Sequence, residues 1–288
     1  MHRKKAIAAI LGVALLILAC DLTINLPTRR EQTMPLVTEE IRIPPPENVE
    51  AVADVDLGFF GGTFLLNPGS SDALISGTIS YNIDALKPSI RIEDTRVKIS
   101  QEDDLGNLIP RLGDDIENNW DLKIGPFPMD LRISAGGYKS EMELGGLSLR
   151  SLRISEGAAD TSLSFSSPNL VEMENLRYDT GASKSVITGL SNANFSRMNL
   201  SSGAGDYTLD FTGVLHRDAT VVIKTGLSNI EIIVPEGIAA QAMVTGGLSN
   251  VNVHDAWEVS GNVYTNSGEG SRLVISVEMG AGNLELRN

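Results

Sequence analysis

Residues 203–234 read GAGDYTLDFTGVLHRDATVVIKTGLSNIEIIV. Twice in this stretch a glycine opens a short polar turn, Gly203-Ala204-Gly205-Asp206 and Gly226-Leu227-Ser228-Asn229. An alternating pattern follows each turn: Tyr207, Leu209 and Phe211 after the first, Ile230, Ile232 and Val234 after the second. A period of two puts apolar side chains on one face of a β-strand and polar ones on the other. No 3.6-residue stripe of an amphipathic helix competes with it.

Outward from this stretch the turn recurs at Gly136, Gly157, Gly181, Gly203, Gly226, Gly247 and Gly280, in steps of 21, 24, 22, 23, 21 and 33 residues. A period near 22 residues is the mark of a stacked-repeat architecture. A second break recurs between the turns, at Gly145-Gly146, Pro168, Gly189, Gly213 and Gly237, so each coil reads as strand, corner, strand, corner. One coil cannot bury its own apolar face, so neighbours stack and share a core. The expected fold is all-β: a single-domain parallel β-solenoid (β-helix) over 133–288, with an N-terminal β region over 49–132 that caps or starts it. Leu152, Ile154, Tyr178, Leu209, Ile232 and Val277 are among the expected inward residues. Asp72 to Pro126 is less regular, with strand-like Leu74–Ile83 and Pro88–Ile99, and reads as an antiparallel sheet or cap over the first coil.

The tetrapeptide GLSN occurs at Gly189, Gly226 and Gly247. The second and third copies fall in the glycine corner and the first falls at the other break. A ligand motif needs equivalent geometry at each copy, so GLSN reads as turn punctuation, with glycine opening the bend and asparagine tolerating left-handed backbone. The fourth residue of each corner forms a column: Lys139, Asp160, Lys184, Asp206, Asn229, Asn250 and Asn283. Stacked coils would place these side chains about 4.8 Å apart. Alternating charges attract in that register, and asparagines can hydrogen-bond along the axis, so the column is expected to be structural.

The first residues are MHRKKAIAAILGVALLILAC. A basic start, an apolar run from Ala6 to Ala19 and a small residue before Cys20 make residues 1–19 a secretory signal. The run is shorter than the roughly 20 residues of a membrane span. Ile17-Leu18-Ala19-Cys20 resembles the bacterial lipobox, which implies cleavage before Cys20 and lipidation of its sulfur. Cys20 is the one cysteine, so the chain forms no internal disulfide. Residues 20–48, with Pro44-Pro45-Pro46, read as a spacer behind the anchor; the alternative is an N-terminal strand lead-in. The expected location is extracytoplasmic, lipid-anchored to the bacterial cell membrane.

The formal net charge is -14, and the signal holds Arg3, Lys4 and Lys5 without an acid, so its removal leaves the rest more negative still. Such a surface repels phosphate backbones, which excludes a nucleic-acid partner.

Ser202-Gly203-Ala204-Gly205-Asp206-Tyr207-Thr208-Leu209-Asp210, Gly246-Gly247-Leu248-Ser249-Asn250-Val251 and Met279-Gly280-Ala281-Gly282-Asn283-Leu284 resemble the repeat of the bacterial toast-rack and adhesin-like β-repeat families. Asp54-Val55-Asp56-Leu57-Gly58 and Trp120-Asp121-Leu122 resemble their N-terminal part. The resemblance spans roughly residues 48 to 288 and implies architecture rather than chemistry. Similar repeats occur at the C-termini of membrane proteins tied to cell-envelope stress responses.

Catalytic constellations are missing from the sequence. Beyond the signal, His216 and His254 are too few for a His/Cys zinc set, and no Gly-x-Ser-x-Gly elbow or phosphate loop occurs. No cofactor and no metal are expected. A glycan-cleaving β-helix would need carboxylates and a base on one sheet, for which Asp210, Glu231 and Lys224 are the candidates; outward strand charges ordinarily form a solvated face. Trp257 and Tyr264 lie in the long interval before Gly280. They either contact sugars or peptides from a loop or fold over and seal the end of the core, as terminal repeats require. The expected function is a non-catalytic envelope lipoprotein presenting a rigid acidic β-solenoid for adhesion, binding or scaffolding, with an unidentified protein or glycan partner. The alternatives are an envelope-stress sensor accessory and a glycan-cleaving enzyme.

Overall fold

The computed structural model describes residues 33–101, 115–254 and 257–288, with Leu248 and Ser249 described by their backbone alone. The fold is all-β, fifteen strands in one sheet, with short 3-10 turns at Asp84–Leu86 and Leu190–Ala193. The expected signal, residues 1–19, and the expected lipid site Cys20 lie outside the described residues.

Long bent strands carry the repeat: β2 (Ala53–Pro68), β7 (Pro128–Glu143), β8 (Ser148–Ser164), β9 (Met173–Thr188), β10 (Phe195–Asp210), β11 (Ala219–Ile233), β12 (Gly237–Val253) and β15 (Gly268–Arg287). Between β7 and β8 the register skips the corner glycines Gly136 and Gly157 and resumes with Gly137 opposite Ala158, so the same two strands pair on both sides of the bend. The inward-outward alternation resets its phase there, so one strand serves two faces that meet at the corner. In β2 the two halves even take different neighbours: Asp54–Gly58 pairs with β5 (Arg96–Ser100), and Thr63–Pro68 pairs with β6 (Asn118–Ile124).

The long strands pair in parallel in the order β2-β7-β8-β9-β10-β11-β15-β12. Both ends are antiparallel. At one, β1 (Val37–Ile43), β3 (Ile75–Tyr81) and β6 form a sheet, and β4 (Ser89–Glu93) pairs with β5. At the other, the hairpin β13 (Trp257–Ser260) and β14 (Val263–Asn266) lies against β12. The sheet is therefore mixed rather than parallel throughout, with parallel pairing confined to its long middle strands.

Three features differ from the sequence-based expectation. The repeat does not begin at residue 133: β2 is already a bent strand, and its Gly61 sits opposite Gly137 of β7. The stretch 20–48 is not all spacer, because Val37–Ile43 forms β1, which buries Ile41 and Ile43. Stacking order is also not chain order, since β15 lies between β11 and β12. The long interval before Gly280 holds the β13–β14 hairpin, and that extra length lets the chain return to the gap beside β11.

The core runs along the inside of the corner. Leu152, Ile154, Tyr178, Leu209, Ile232 and Val277 are all buried. One end is plugged by aromatic rings, with Phe59 5.3 Å from Trp120 and 5.8 Å from Tyr138 between ring centroids, both edge-on.

Candidate functional site: the corner and its outer rows

The glycines form a column because the backbone leaves no room for a side chain. A Cβ on Gly181 would lie 2.6 Å from the carbonyl oxygen of Gly157, one on Gly203 2.7 Å from that of Gly181, and one on Gly280 2.6 Å from that of Gly226. Each glycine carbonyl points at the Cα of the next. Gly189 has a different role: at φ 70° it opens the 3-10 turn Leu190–Ala193 between β9 and β10. The three GLSN copies thus occupy two kinds of backbone.

Beyond the corner, one outward row reads Lys139, Asp160, Lys184, Asp206, Asn229, Asn283, Asn250 through successive strand pairs. Asn229 Nδ2 donates to Asp206 Oδ1 at 2.7 Å. Asn250 instead turns toward Asn252, 3.4 Å away. The parallel row two residues on includes Glu231 and Glu285, tied by Arg287 at 2.7 and 3.4 Å, with His254 2.8 Å from Glu285. This face is acidic and amide-rich.

Before the corner lies an open groove of about 960 Å³. Its outward row is Ser155, Asp179, Ser201, Lys224, Glu278 and Thr245, again one residue per strand. Lys224 Nζ is 3.1 Å from Glu278 Oε2, and Asp179 accepts from Arg177 at 2.6 Å and from Arg153 at 3.4 Å. Hydroxyls and charges of both signs recur at the strand spacing of about 4.8 Å. Such a surface suits an extended polar chain held by serial hydrogen bonds better than an enclosed small molecule.

Under the groove sits a polar network that the sequence reading missed. Glu156, buried at 7% exposure, accepts hydrogen bonds from Tyr178 at 2.6 Å, Tyr138 at 2.8 Å and Thr161 at 3.2 Å. Tyr178 also meets Ser185 at 2.9 Å. Burial, and then the adjacent Glu156 charge, push both tyrosine hydroxyls well above their usual pKa. Three hydroxyl donors satisfy a carboxylate that would otherwise be costly to bury. A glutamate just before a turn glycine reads as solvent-facing; its alignment with Thr180 and Ser202 on the next strands was the available signal.

Trp257 and Tyr264 do not offer exposed rings: both are buried, and the Trp257 indole donates to the carbonyl of Arg287 at 3.4 Å. Of the two sequence readings, this burial favours the one in which they seal the end of the core, since apolar rings gain by leaving water. Lys224 and Glu231 lie on opposite sides of the corner, in different rows, and Asp210 is in neither, so they do not converge. Among the described residues no group of His, Cys, Asp or Glu is arranged to hold a metal, and no helix is long and apolar enough to cross a membrane.

Residues 32–174 match the N-terminal domain of toast-rack, and residues 187–286 match the C-terminal domain of LiaF, a cell wall-active antibiotics response family. Among solved structures, a proposed cell adhesion protein from Clostridium sporogenes is 18% identical with a TM-score of 0.47, over 88% of this chain and 99% of that one. A proposed adhesin from Bacteroides fragilis is 12% identical with a TM-score of 0.35, over 87% and 96%. A proposed lipid binding protein from Parabacteroides distasonis is 9% identical with a TM-score of 0.35, over 86% and 96%. No curated protein matches the chain.

Proposed function

Since the chain belongs to the toast-rack family, we propose that it is a non-catalytic protein of the bacterial cell envelope, presenting a rigid acidic β-scaffold for adhesion, binding or scaffolding. The observation that carries this reading is the corner groove, where Ser155, Asp179, Ser201, Lys224, Glu278 and Thr245 repeat polar groups at strand spacing on a backbone braced by the glycine column. A protein segment or glycan lying along the stack could bond to each strand in turn. The Cys20 lipid, placed behind residues 1–19, would hold the scaffold outside the membrane; Cys20→Ser should then release the protein or block its processing, and recovery of a lipid-free wild type from the native host would remove the anchor from the proposal. Binding is tested by capture from the organism's envelope on the purified chain. Ser155→Arg with Ser201→Arg, which fills the groove, should abolish capture; undiminished capture by that folded variant would place binding elsewhere.

A second reading, an accessory to envelope-stress sensing, is supported by the match of residues 187–286 to the LiaF C-terminal domain. Under it, deleting the protein alters the transcriptional response to cell wall-active antibiotics. An unchanged response in the deletion strain would leave the binding role standing alone.

A further inference from the structure

The two ends of the parallel stack are finished differently. At the β2 end both halves of the strand are covered, by β5 and by β6. At the β12 end the cover is partial: β14 pairs with Ala240–Met243, and Val244 donates to Asn262. Among the described residues no strand pairs with Thr245–Val253 on the side away from β15. His254 donates its amide to Leu286 on β15, so strand alternation turns the amides and carbonyls of Val251 and Val253 to the open side.

This edge also lacks the usual protection. Natural edge strands are blunted with charge or proline, since an open ladder invites pairing with another chain. β1 carries Glu39, Glu40 and Arg42, and β4 carries Arg91 and Glu93. β12, the 17 residues GIAAQAMVTGGLSNVNV, contains no charged residue and no proline. A cleft of about 630 Å³ opens beside it, lined by Val251, Val253, Val259 and Tyr264 together with the paired His254 and Glu285, and Val259 is 57% exposed.

We infer that Thr245–Val253 of β12 is a self-association edge that pairs with the same edge of a second copy. Three observations select this occupant. The chain carries a net charge of -14, so two copies repel over most of their surfaces and least at an uncharged strand. At the β2 end the outermost strands, β1 and β4, carry the charges that blunt an edge, which disfavours head-to-tail growth. A two-fold axis pairs the edge antiparallel with itself, and such an isologous contact closes at the dimer rather than running on into a fibre. Val259 of each copy then lies beside the added strand of the other.

The test is the mass of the full chain by sedimentation equilibrium over a wide concentration range, in detergent with micelles in excess over protein. A reversible dimer is expected for the wild type. Asn250→Lys with Asn252→Lys puts charge on an exposed part of the edge, and Val251→Pro removes one outward amide; each should raise the dimer dissociation constant at least about tenfold. Circular dichroism melts identify which variants are folded, and either folded variant suffices. Amide exchange at Val251 and Val253 should be slow in concentrated wild type and fast on dilution. A wild type that stays monomeric throughout, or folded variants that dimerise as tightly as wild type, would overturn the inference.

Discussion

Asn283 donates its side-chain amide to Oδ1 of Asn229 at 3.0 Å, across a separation of 54 residues. Asn229 passes the chain on to Asp206, so three side chains from β15, β11 and β10 form a short ladder along the corner. Asn229 is its middle member. Asn229→Ala should cost about 1 kcal/mol, more than Asn250→Ala, whose amide leaves the ladder for Asn252. A double-mutant cycle between Asn229→Ala and Asn283→Ala should give a coupling of a few tenths of a kcal/mol. Zero coupling in urea melts would show that the ladder holds nothing.

Lys184 stands in register between Asp160 and Asp206. The charges are exposed, so each interaction contributes well under about 1 kcal/mol. Lys184→Ala removes attraction, whereas Lys184→Asp adds repulsion from both neighbours. Lys184→Asp should therefore melt below Lys184→Ala, with the gap shrinking in high salt. Equal melting temperatures for the two variants at low salt would refute a role for the charge alternation.

The Glu156 network predicts sensitivity to alkali. Burial and Glu156 raise the Tyr138 and Tyr178 hydroxyls above their unfolded value of about 10. The folded state keeps these protons at a pH where the unfolded state has released them. The contribution is complete below about pH 10 and is lost as pH rises beyond it, by up to about 1.4 kcal/mol per unit for each tyrosine. Tyr138→Phe with Tyr178→Phe should flatten this dependence while lowering stability at neutral pH by about 1–3 kcal/mol per unpaired bond. A wild-type melting temperature that does not change across that alkaline range would exclude the effect.

The glycine column predicts a graded response to alanine. On Gly203 a Cβ meets the Gly181 carbonyl at 2.7 Å, whereas on Gly247 the nearest carbonyl, that of Gly280, is 3.3 Å away. Gly203→Ala must push neighbouring strands apart and should cost about 1–3 kcal/mol; Gly247→Ala should cost less than half of that. The comparison is read from chemical denaturation, and a Gly247→Ala variant as damaged as Gly203→Ala would contradict it.

The column Lys139 to Asn283 was legible in the sequence because each corner counts from a glycine, and a period-two strand fixes which face every later residue takes. The same counting could not see that β15 precedes β12 in the stack, because stacking order is a property of space and every repeat presents the same glycine-then-alternation pattern. The 33-residue step was its one trace. β2 escaped the count since Phe60 stands where the other strands carry the corner glycine, after Phe59, whose ring fills the end of the core. The groove was hidden for another reason: serines and charges facing outward look alike whether they border a concave surface or open water.

The position of β15 sets a timetable for biogenesis. As the chain emerges in order, β11 and β12 exist before the strand that must separate them, and both carry the same GLSN corner. A premature β11–β12 pair would satisfy the corner register and would have to dissociate before β15 could enter. Refolding is thus predicted to contain a slow phase caused by this decoy, and topologies that depend on such late insertion are slow to form. A chain ending at residue 267 should populate the decoy stably, with amide protection joining β11 to β12. If that shorter chain shows no such protection, or refolding of the full chain is single-exponential, the trap does not exist.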